Sequence, residues 1–262
     1  MLFDELKTAI DAEAPVALAT VIDGPGDMAG AKMMVRPDGP TIGTLGHEQL
    51  DRVVERDALG ELSAGTTGVR HYGPGGEARQ EEVTIFIESF APPPQMLIFG
   101  AVDFSAALSR VAKVLGYRVT VVDARQVFAT PQRFPAADEV VVDWPHRHLE
   151  KVGPTLTARD VICVLTHDPK FDVPAVIAAL ETEAGYIGAM GSRRTTDDRN
   201  QRLRAEGVTD KQIAQIMAPI GLDLGARTPE ETAVSIVAEI IGLRSGRGAP
   251  SLRDTSGDIH NR

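Results

Sequence analysis

The 262-residue sequence predicts an α/β protein in which a Rossmann-like, doubly wound parallel sheet follows a smaller α+β domain. Three observations carry that reading. The stretch 95–123 passes from an apolar run through Gly100-Ala101-Val102 into a helix-period segment, which Gly116 stops before a second apolar run ends at Asp123. This is the strand, turn, helix and strand that open a nucleotide-binding sheet. Further apolar runs at 139–143, 161–166 and 186–190 alternate with helical segments, as in a parallel sheet covered on both faces. Upstream of residue 91 the runs are shorter and broken by Gly and Pro, which suits antiparallel strands.

In chain order, Leu2, Phe3, Leu6, Ala9 and Ile10 recur at helical spacing opposite Asp4, Glu5, Lys7 and Asp11, and Pro15 ends that helix. Residues 16–22, 31–35 and 41–45 read as strands. Leu50, Val53, Val54 and Leu59 give 47–62 a helical period, and 82–87 alternates as a last strand. The amino domain is thus expected to span 1–90. Pro92, Pro93 and Pro94 neither continue a helix nor donate to a ladder, so 91–95 reads as a linker. The carboxyl domain then covers 96–244. Within it, Thr228, Pro229 and Glu231 form a capping box for a helix to about 243, and Thr209 with Gln212 repeats the pattern for a helix to about 217. The Gly-, Ser- and charge-rich segment 245–262 is expected to be extended or mobile.

Composition narrows the function classes. A formal charge of −10 argues against nucleic acid as a partner. No apolar run approaches the roughly 20 residues of a membrane span, and 1–14 carries acids rather than a signal pattern, so the expected location is cytoplasmic. Cys163 is the single cysteine, in an apolar strand, which excludes an internal disulfide and an all-cysteine zinc site. His146 and His148, beside Trp144 and Pro145, read as a solvated loop rather than a metal site, and no metal is expected. P-loop, zincin and α/β-hydrolase motifs are absent.

The chemistry is expected where the parallel strands end. The first turn, Gly100-Ala101-Val102-Asp103, has a β-branched residue where a dinucleotide fingerprint has its second glycine, so it is either a modified binding turn or a bare structural one. Asp123 stands at the spacing of a ribose-binding acid; Arg125 can meet a 2′-phosphate or pair with Asp123. Thr166, His167 and Asp168 follow the fourth strand, where His167 and Asp168 are the candidates for proton handling or, alternatively, for capping a helix. Ser192, Arg193 and Arg194 precede a helix and make the best anion cradle in the chain.

Four runs, FATPQRFPAADEV from Phe128, VLTHDPKFD from Val164, YIGAMGSRRT from Tyr186 and PIGLDLGARTPEETA from Pro219, occur in order and resemble the XdhC/CoxI family of molybdenum hydroxylase accessory proteins. The resemblance covers nearly all of 95–243, extends to 251–260 and fits the amino domain more loosely. It implies a Rossmann-type carboxyl domain, a homodimer, and a role in binding molybdenum cofactor (molybdopterin type) and passing it to the apo-enzyme of a xanthine or carbon monoxide dehydrogenase. The sequence departs from the family pattern at two places. The position of a family cysteine falls at Gln49 in the run TLGHEQLD from Thr44, and the first turn reads Gly-Ala-Val-Asp instead of Gly-Ala-Gly-His. A thiolate suited to a metal-dithiolene cofactor is replaced by an amide.

Two functions follow. One is a non-enzymatic cofactor chaperone with the pterin phosphate on Ser192, Arg193 and Arg194. The other is an NAD(P)-dependent oxidoreductase or nucleotide sensor with Asp123 on a ribose and His167 as acid or base. The binding set common to them is Gly100, Val102, Asp123, Arg125, Thr166, His167, Ser192, Arg193 and Arg194.

Overall fold

The computed structural model describes residues 2–77, 80–166 and 168–256. The chain forms two compact units, Met1–Pro92 and Pro93–Arg262.

The amino unit is built on helix α1 (Leu2–Asp11), strands β1 (Val16–Asp23), β2 (Lys32–Val35) and β3 (Ile42–Thr44), helix α2 (Glu48–Ala64), and strands β4 (Gly68–Tyr72) and β5 (Val83–Phe90). The strands form one antiparallel sheet in the order β3-β2-β1-β5-β4. Alternation along β1 sends Ala17, Ala19 and Val21 to the face covered by Leu50, Val54, Ala58 and Leu62 of α2. Val16 and Leu18 pack on the other face with Leu6 and Ala9 of α1. Strand β4 has no counterpart in the sequence pattern. It is an edge strand whose Val69, Arg70 and His71 are exposed, so it lacks the buried alternation that marks a strand in sequence.

The carboxyl unit contains β6 (Gln95–Phe99), α3 (Asp103–Val114), β7 (Arg118–Val122), β8 (Glu139–Val141), α4 (Pro145–Val152), β9 (Val161–Val164), α5 (Pro169–Leu180), β10 (Tyr186–Ala189), α6 (Arg193–Ala205), α7 (Asp210–Ile213), β11 (Ile216–Met217) and α8 (Pro229–Arg244). All pairings are parallel, in the order β11-β10-β9-β6-β7-β8. This is the Rossmann order, reversing between β6 and β9. One apolar layer joins the sheet to α3 and α8 through Leu108, Ala112, Ile236 and Ile240. The opposite layer joins it to α4, α5 and α6 through Leu149, Val176 and Leu203. Continuous burial along β6, β7, β9 and β10 is the consequence of covering both faces.

Three readings are corrected. The helix begun by the Thr209–Gln212 capping box ends at Ile213, because Ile216 and Met217 extend to pair with Ile187 and Gly188 of β10. An available sheet edge outweighs helical propensity over so short a segment. The third strand stops at Val141, where Asp143 turns to accept the Trp144 N–H and the Lys151 ammonium. His146 and His148 are not in a loop: they lie in α4, started by Pro145 at its first position. Past α8, Leu252–Asp254 makes one 3-10 turn; residues 257–262, with the end of the family resemblance, lie outside the described residues.

Candidate functional site at the carboxyl edge of the sheet

The sheet order brings the ends of β10, β9, β6, β7 and β8 side by side along one edge. At the reversal point, Gly100 follows β6 with φ +117, and a Cβ there would come within 2.9 Å of the Thr166 backbone nitrogen. Glycine therefore lets the β6 and β9 loops close on each other.

The first turn has much of its polar capacity engaged. The Ala101 N–H donates to Asp123 Oδ2 at 2.8 Å, and the Ala101 carbonyl accepts from Arg133 Nη1 at 3.1 Å. Val102 occupies the N-cap of α3 without a side-chain cap, and its half-buried side chain packs on the α3–α8 core layer. Asp103 is exposed in the first helical turn, 3.5 Å from Arg133. A carboxylate there suits the helix dipole and repels a phosphate. The Val102 side chain is thus turned into the core layer, and what this turn presents is the engaged Ala101 backbone and the Asp103 carboxylate.

At the end of β7, Arg125 takes the pairing role. Its Nε donates to Asp123 Oδ1 at 2.9 Å and its Nη2 to Oδ2 at 2.7 Å, while the Arg125 N–H reaches Oδ1 at 2.9 Å. Burial alone would raise the Asp123 carboxyl, but the guanidinium and the two backbone N–H groups hold it below the usual carboxylate range. The guanidinium lies 4.7 Å from the Phe128 ring centroid and 5.8 Å from that of Phe171. Lys170 stands 4.7 Å over Phe171, and Phe171 packs at 5.0 Å on Trp144. Cations and rings alternate here into a ladder running from the β7 end to the β8 end. Phe128 (41% exposed) and Trp144 (37% exposed) present ring surface to solvent.

At the end of β9, Asp168 caps α5 by accepting the Lys170 N–H at 3.1 Å, and Thr166 Oγ1, buried, accepts the Asp168 N–H at 3.2 Å. The Lys170 N–H and ammonium keep the Asp168 carboxyl low. Asp168 thus serves as a cap; His167 lies outside the described residues.

At the end of β10, Ser192 caps α6: its Oγ accepts the Thr195 N–H at 3.1 Å. The hydroxyl proposed for an anion is therefore already an acceptor for the helix. The N–H groups of Arg193 and Arg194 fall in the first turn, where a helix has no acceptor of its own, and no acid occupies that turn. Neither guanidinium has an ion-pair partner among the described residues. Behind the turn, buried Arg199 donates to the Met190 carbonyl and to Asp172 Oδ2 at 3.2 Å, tying β10, α5 and α6 together.

The other residues that the sequence singled out lie away from this edge or inside the core. His148 is buried edge-on to Phe99 with centroids 6.4 Å apart, and burial lowers its pKa. No cluster of three or more His, Cys, Asp or Glu suited to a metal occurs among the described residues. Cys163 is buried in β9, where burial pushes the thiol up and away from thiolate chemistry. Gln49, at the family cysteine position, is exposed in the first turn of α2. The sequence reading missed Phe128, Arg133, Trp144 and Phe171 as site residues; Phe128, Arg133 and Phe171 stand in the family-like runs, but no spacing rule brings Phe171 to Arg125.

Strand order and the reversal-point loops define the carboxyl unit as a Rossmann-type module. The family model described as XdhC Rossmann domain matches residues 96–240, and that described as XdhC and CoxI family matches residues 9–73. The chain belongs to the XdhC and CoxI family. It is 27% identical over 258 residues to the uncharacterized protein YqeB of Escherichia coli (strain K12), covering 93% of this chain and 46% of that protein. It is 31% identical to a protein of Bacillus subtilis (strain 168) named as a probable xanthine dehydrogenase subunit, covering 63% of this chain and 47% of the relative. It is also 30% identical to the molybdenum cofactor insertion chaperone PaoD of Escherichia coli (strain K12), over 61% of this chain and 43% of PaoD. The chain spans about half the length of these curated relatives. A crystal structure described as a xanthine dehydrogenase from Bacillus halodurans shares the fold, with TM-score 0.55, 22% identity, and coverage of 95% of this chain and 97% of that one. No helix among the described residues is long and apolar enough to cross a membrane.

Proposed function

We propose that the chain is a cytoplasmic, homodimeric accessory protein that binds molybdenum cofactor, or a related nucleotide-containing ligand, and delivers it to the apo-enzyme of a xanthine or carbon monoxide dehydrogenase type hydroxylase. The observation that carries this reading is the spacing of two unlike features on one edge. The cationic turn after β10 and the ring ladder after β7 are three strands apart, or about 14 Å at the usual strand separation. A ligand with phosphate at one end and a flat heterocycle at the other suits that arrangement. Membership of the XdhC and CoxI family, and the roles named for PaoD and the Bacillus subtilis relative, support the choice of cofactor and client.

In this reading the Arg193 and Arg194 guanidinium groups and their N–H groups hold phosphate, reinforced by the α6 dipole. Phe128 and Trp144 offer faces to the heterocycle, and the Asp123–Arg125 pair keeps the Phe128 end rigid. The cofactor supplies a molybdenum-dithiolene centre. The donor set here suits its phosphate and ring and includes no accessible thiol, so the protein grips the organic part. The role is carriage rather than turnover. Protein purified from a molybdenum-competent host should release pterin on acid treatment, and the double variant Arg193→Glu/Arg194→Glu should release almost none. Clean wild-type protein with no micromolar affinity for the cofactor would sink the proposal.

A second reading keeps NAD(P) as the ligand. It is favoured by Arg125, which stacks on Phe128 at the strand end where a 2′-phosphate and adenine would lie. Titrating NADH, NADPH and CTP by calorimetry separates the two, because this reading requires saturable binding that disappears in Asp123→Ala.

A further inference from the structure

The outer face of the carboxyl unit carries a feature that cofactor binding does not use. Helices α4 and α5 pack side by side and leave between them a groove of about 800 Å³. Leu149, Val173, Pro174 and Ile177 make its floor apolar. Glu150, Glu181 and Glu206 stand on its margins, all three exposed, and no lysine or arginine lines it. None of these three side chains has an ion-pair partner among the described residues. An apolar trough between two helices takes a third amphipathic helix, and three uncompensated carboxylates around it favour a cationic occupant over an anionic one.

The groove also has a position. It reaches His146, at the second residue of α4, whose ring is 5.9 Å from that of Trp144. Trp144 in turn packs on Phe171, within the ladder at the carboxyl edge. An occupant of the groove would end beside the ring-binding end of the site.

We infer that the α4–α5 groove docks an amphipathic helix of the client protein, one whose apolar face is flanked by lysine or arginine, and that docking there sets the client beside Trp144 for transfer. That the partner is a hydroxylase rests on the function proposed above; the charge and shape of the helix rest on the groove alone.

Trp144 is the single tryptophan, so its fluorescence reports on this end of the groove. The test uses the full chain without cofactor and two synthetic helical peptides with the same Leu/Ile face, one flanked by Lys and one by Glu. The Lys peptide should saturate the Trp144 signal at micromolar concentration and bind at least about 10-fold more tightly than the Glu peptide. Its affinity should fall several-fold from low to physiological salt. In E150K/E181K/E206K, changed only at exposed positions, the preference should reverse. Equal binding of the two peptides, or an unchanged preference in the triple variant, overturns the inference. So does sedimentation showing a wild-type dimer that the triple variant converts to monomer, since a second copy would then fill the groove. Pterin retention, measured separately, should be unchanged in E150K/E181K/E206K. Wild-type protein without pterin would count against cofactor carriage while leaving the peptide result to be read by itself.

Discussion

Two strand-to-helix turns on the same sheet edge start from similar geometry and end with opposite electrostatics. After β6, the Ala101 N–H is consumed by Asp123, the Ala101 carbonyl by Arg133, and Asp103 puts a carboxylate at the helix start. After β10, Ser192 caps its own helix, no acid enters the first turn, and Arg193 and Arg194 remain without ion-pair partners among the described residues. Every helix N-terminus offers N–H groups and a positive dipole end. Whether it can take an anion depends on what else claims them. In this chain the turn that usually holds pyrophosphate in a Rossmann sheet has its Ala101 backbone engaged and a carboxylate at the helix start, so the phosphate site proposed above falls at the β10 turn instead.

Four experiments bear on that contrast. The largest effect is expected behind the β10 turn. Asp172→Ala leaves the buried Arg199 guanidinium without its carboxylate, which should destabilise the carboxyl unit by about 3–5 kcal/mol, read as a shift in the urea midpoint. A loss below 1 kcal/mol would mean the turn is not braced from behind. Next, Arg193→Glu/Arg194→Glu removes two charge-assisted contacts worth about 1.5–3 kcal/mol each, so affinity for molybdenum cofactor should drop at least about 100-fold by calorimetry with the melting temperature nearly unchanged. Retained binding would move the phosphate elsewhere.

The third experiment concerns pH. Because the Asp123 pKa is depressed below 3.8 in the folded chain, the unfolded state binds more protons as the medium is acidified, and the stability that Asp123 contributes is present above about pH 4 and lost as pH falls through the folded value. Asp123→Asn should flatten this part of the acid limb in urea titrations between pH 5 and pH 3; an unchanged limb would show that the Arg125 pair contributes nothing there. The smallest effect is expected from Val102→Gly. Restoring a glycine should raise nucleotide affinity less than about 3-fold while costing about 1 kcal/mol of stability from lost packing and greater chain freedom. A large gain in NAD(P) binding would show that valine alone blocks the turn, and the contrast between the two turns would collapse.

Legibility differed between fold and site. Continuous apolar runs at β6, β7, β9 and β10, the Gly116 stop and the Thr228 capping box are local signals, and each has its counterpart in the structure. The strands that escaped were those stabilised by a neighbour. Exposed β4 exists because β5 offers it a ladder, and two-residue β11 because β10 does. Among the candidate residues, position along the chain placed Asp123 and the Arg193–Arg194 turn at strand ends, which are readable. It did not reveal that Asp168 and Ser192 spend their acceptors on helix caps, nor that Phe171 closes on Arg125.

Pattern and punctuation along the chain were enough for the fold class, for the resemblance that the family matches bear out, and for placing the single thiol in an apolar strand. Those properties depend on period, residue type and residue count, which every residue carries locally. Tertiary structure decided which hydrogen-bonding groups remain uncommitted, which rings stack into a ladder, and that α4 and α5 enclose an acid-rimmed apolar groove. Such features arise from pairs of residues far apart in sequence whose distances only the folded chain sets, as when Arg125 meets Phe171 across the ends of two strands that are not neighbours in the sheet.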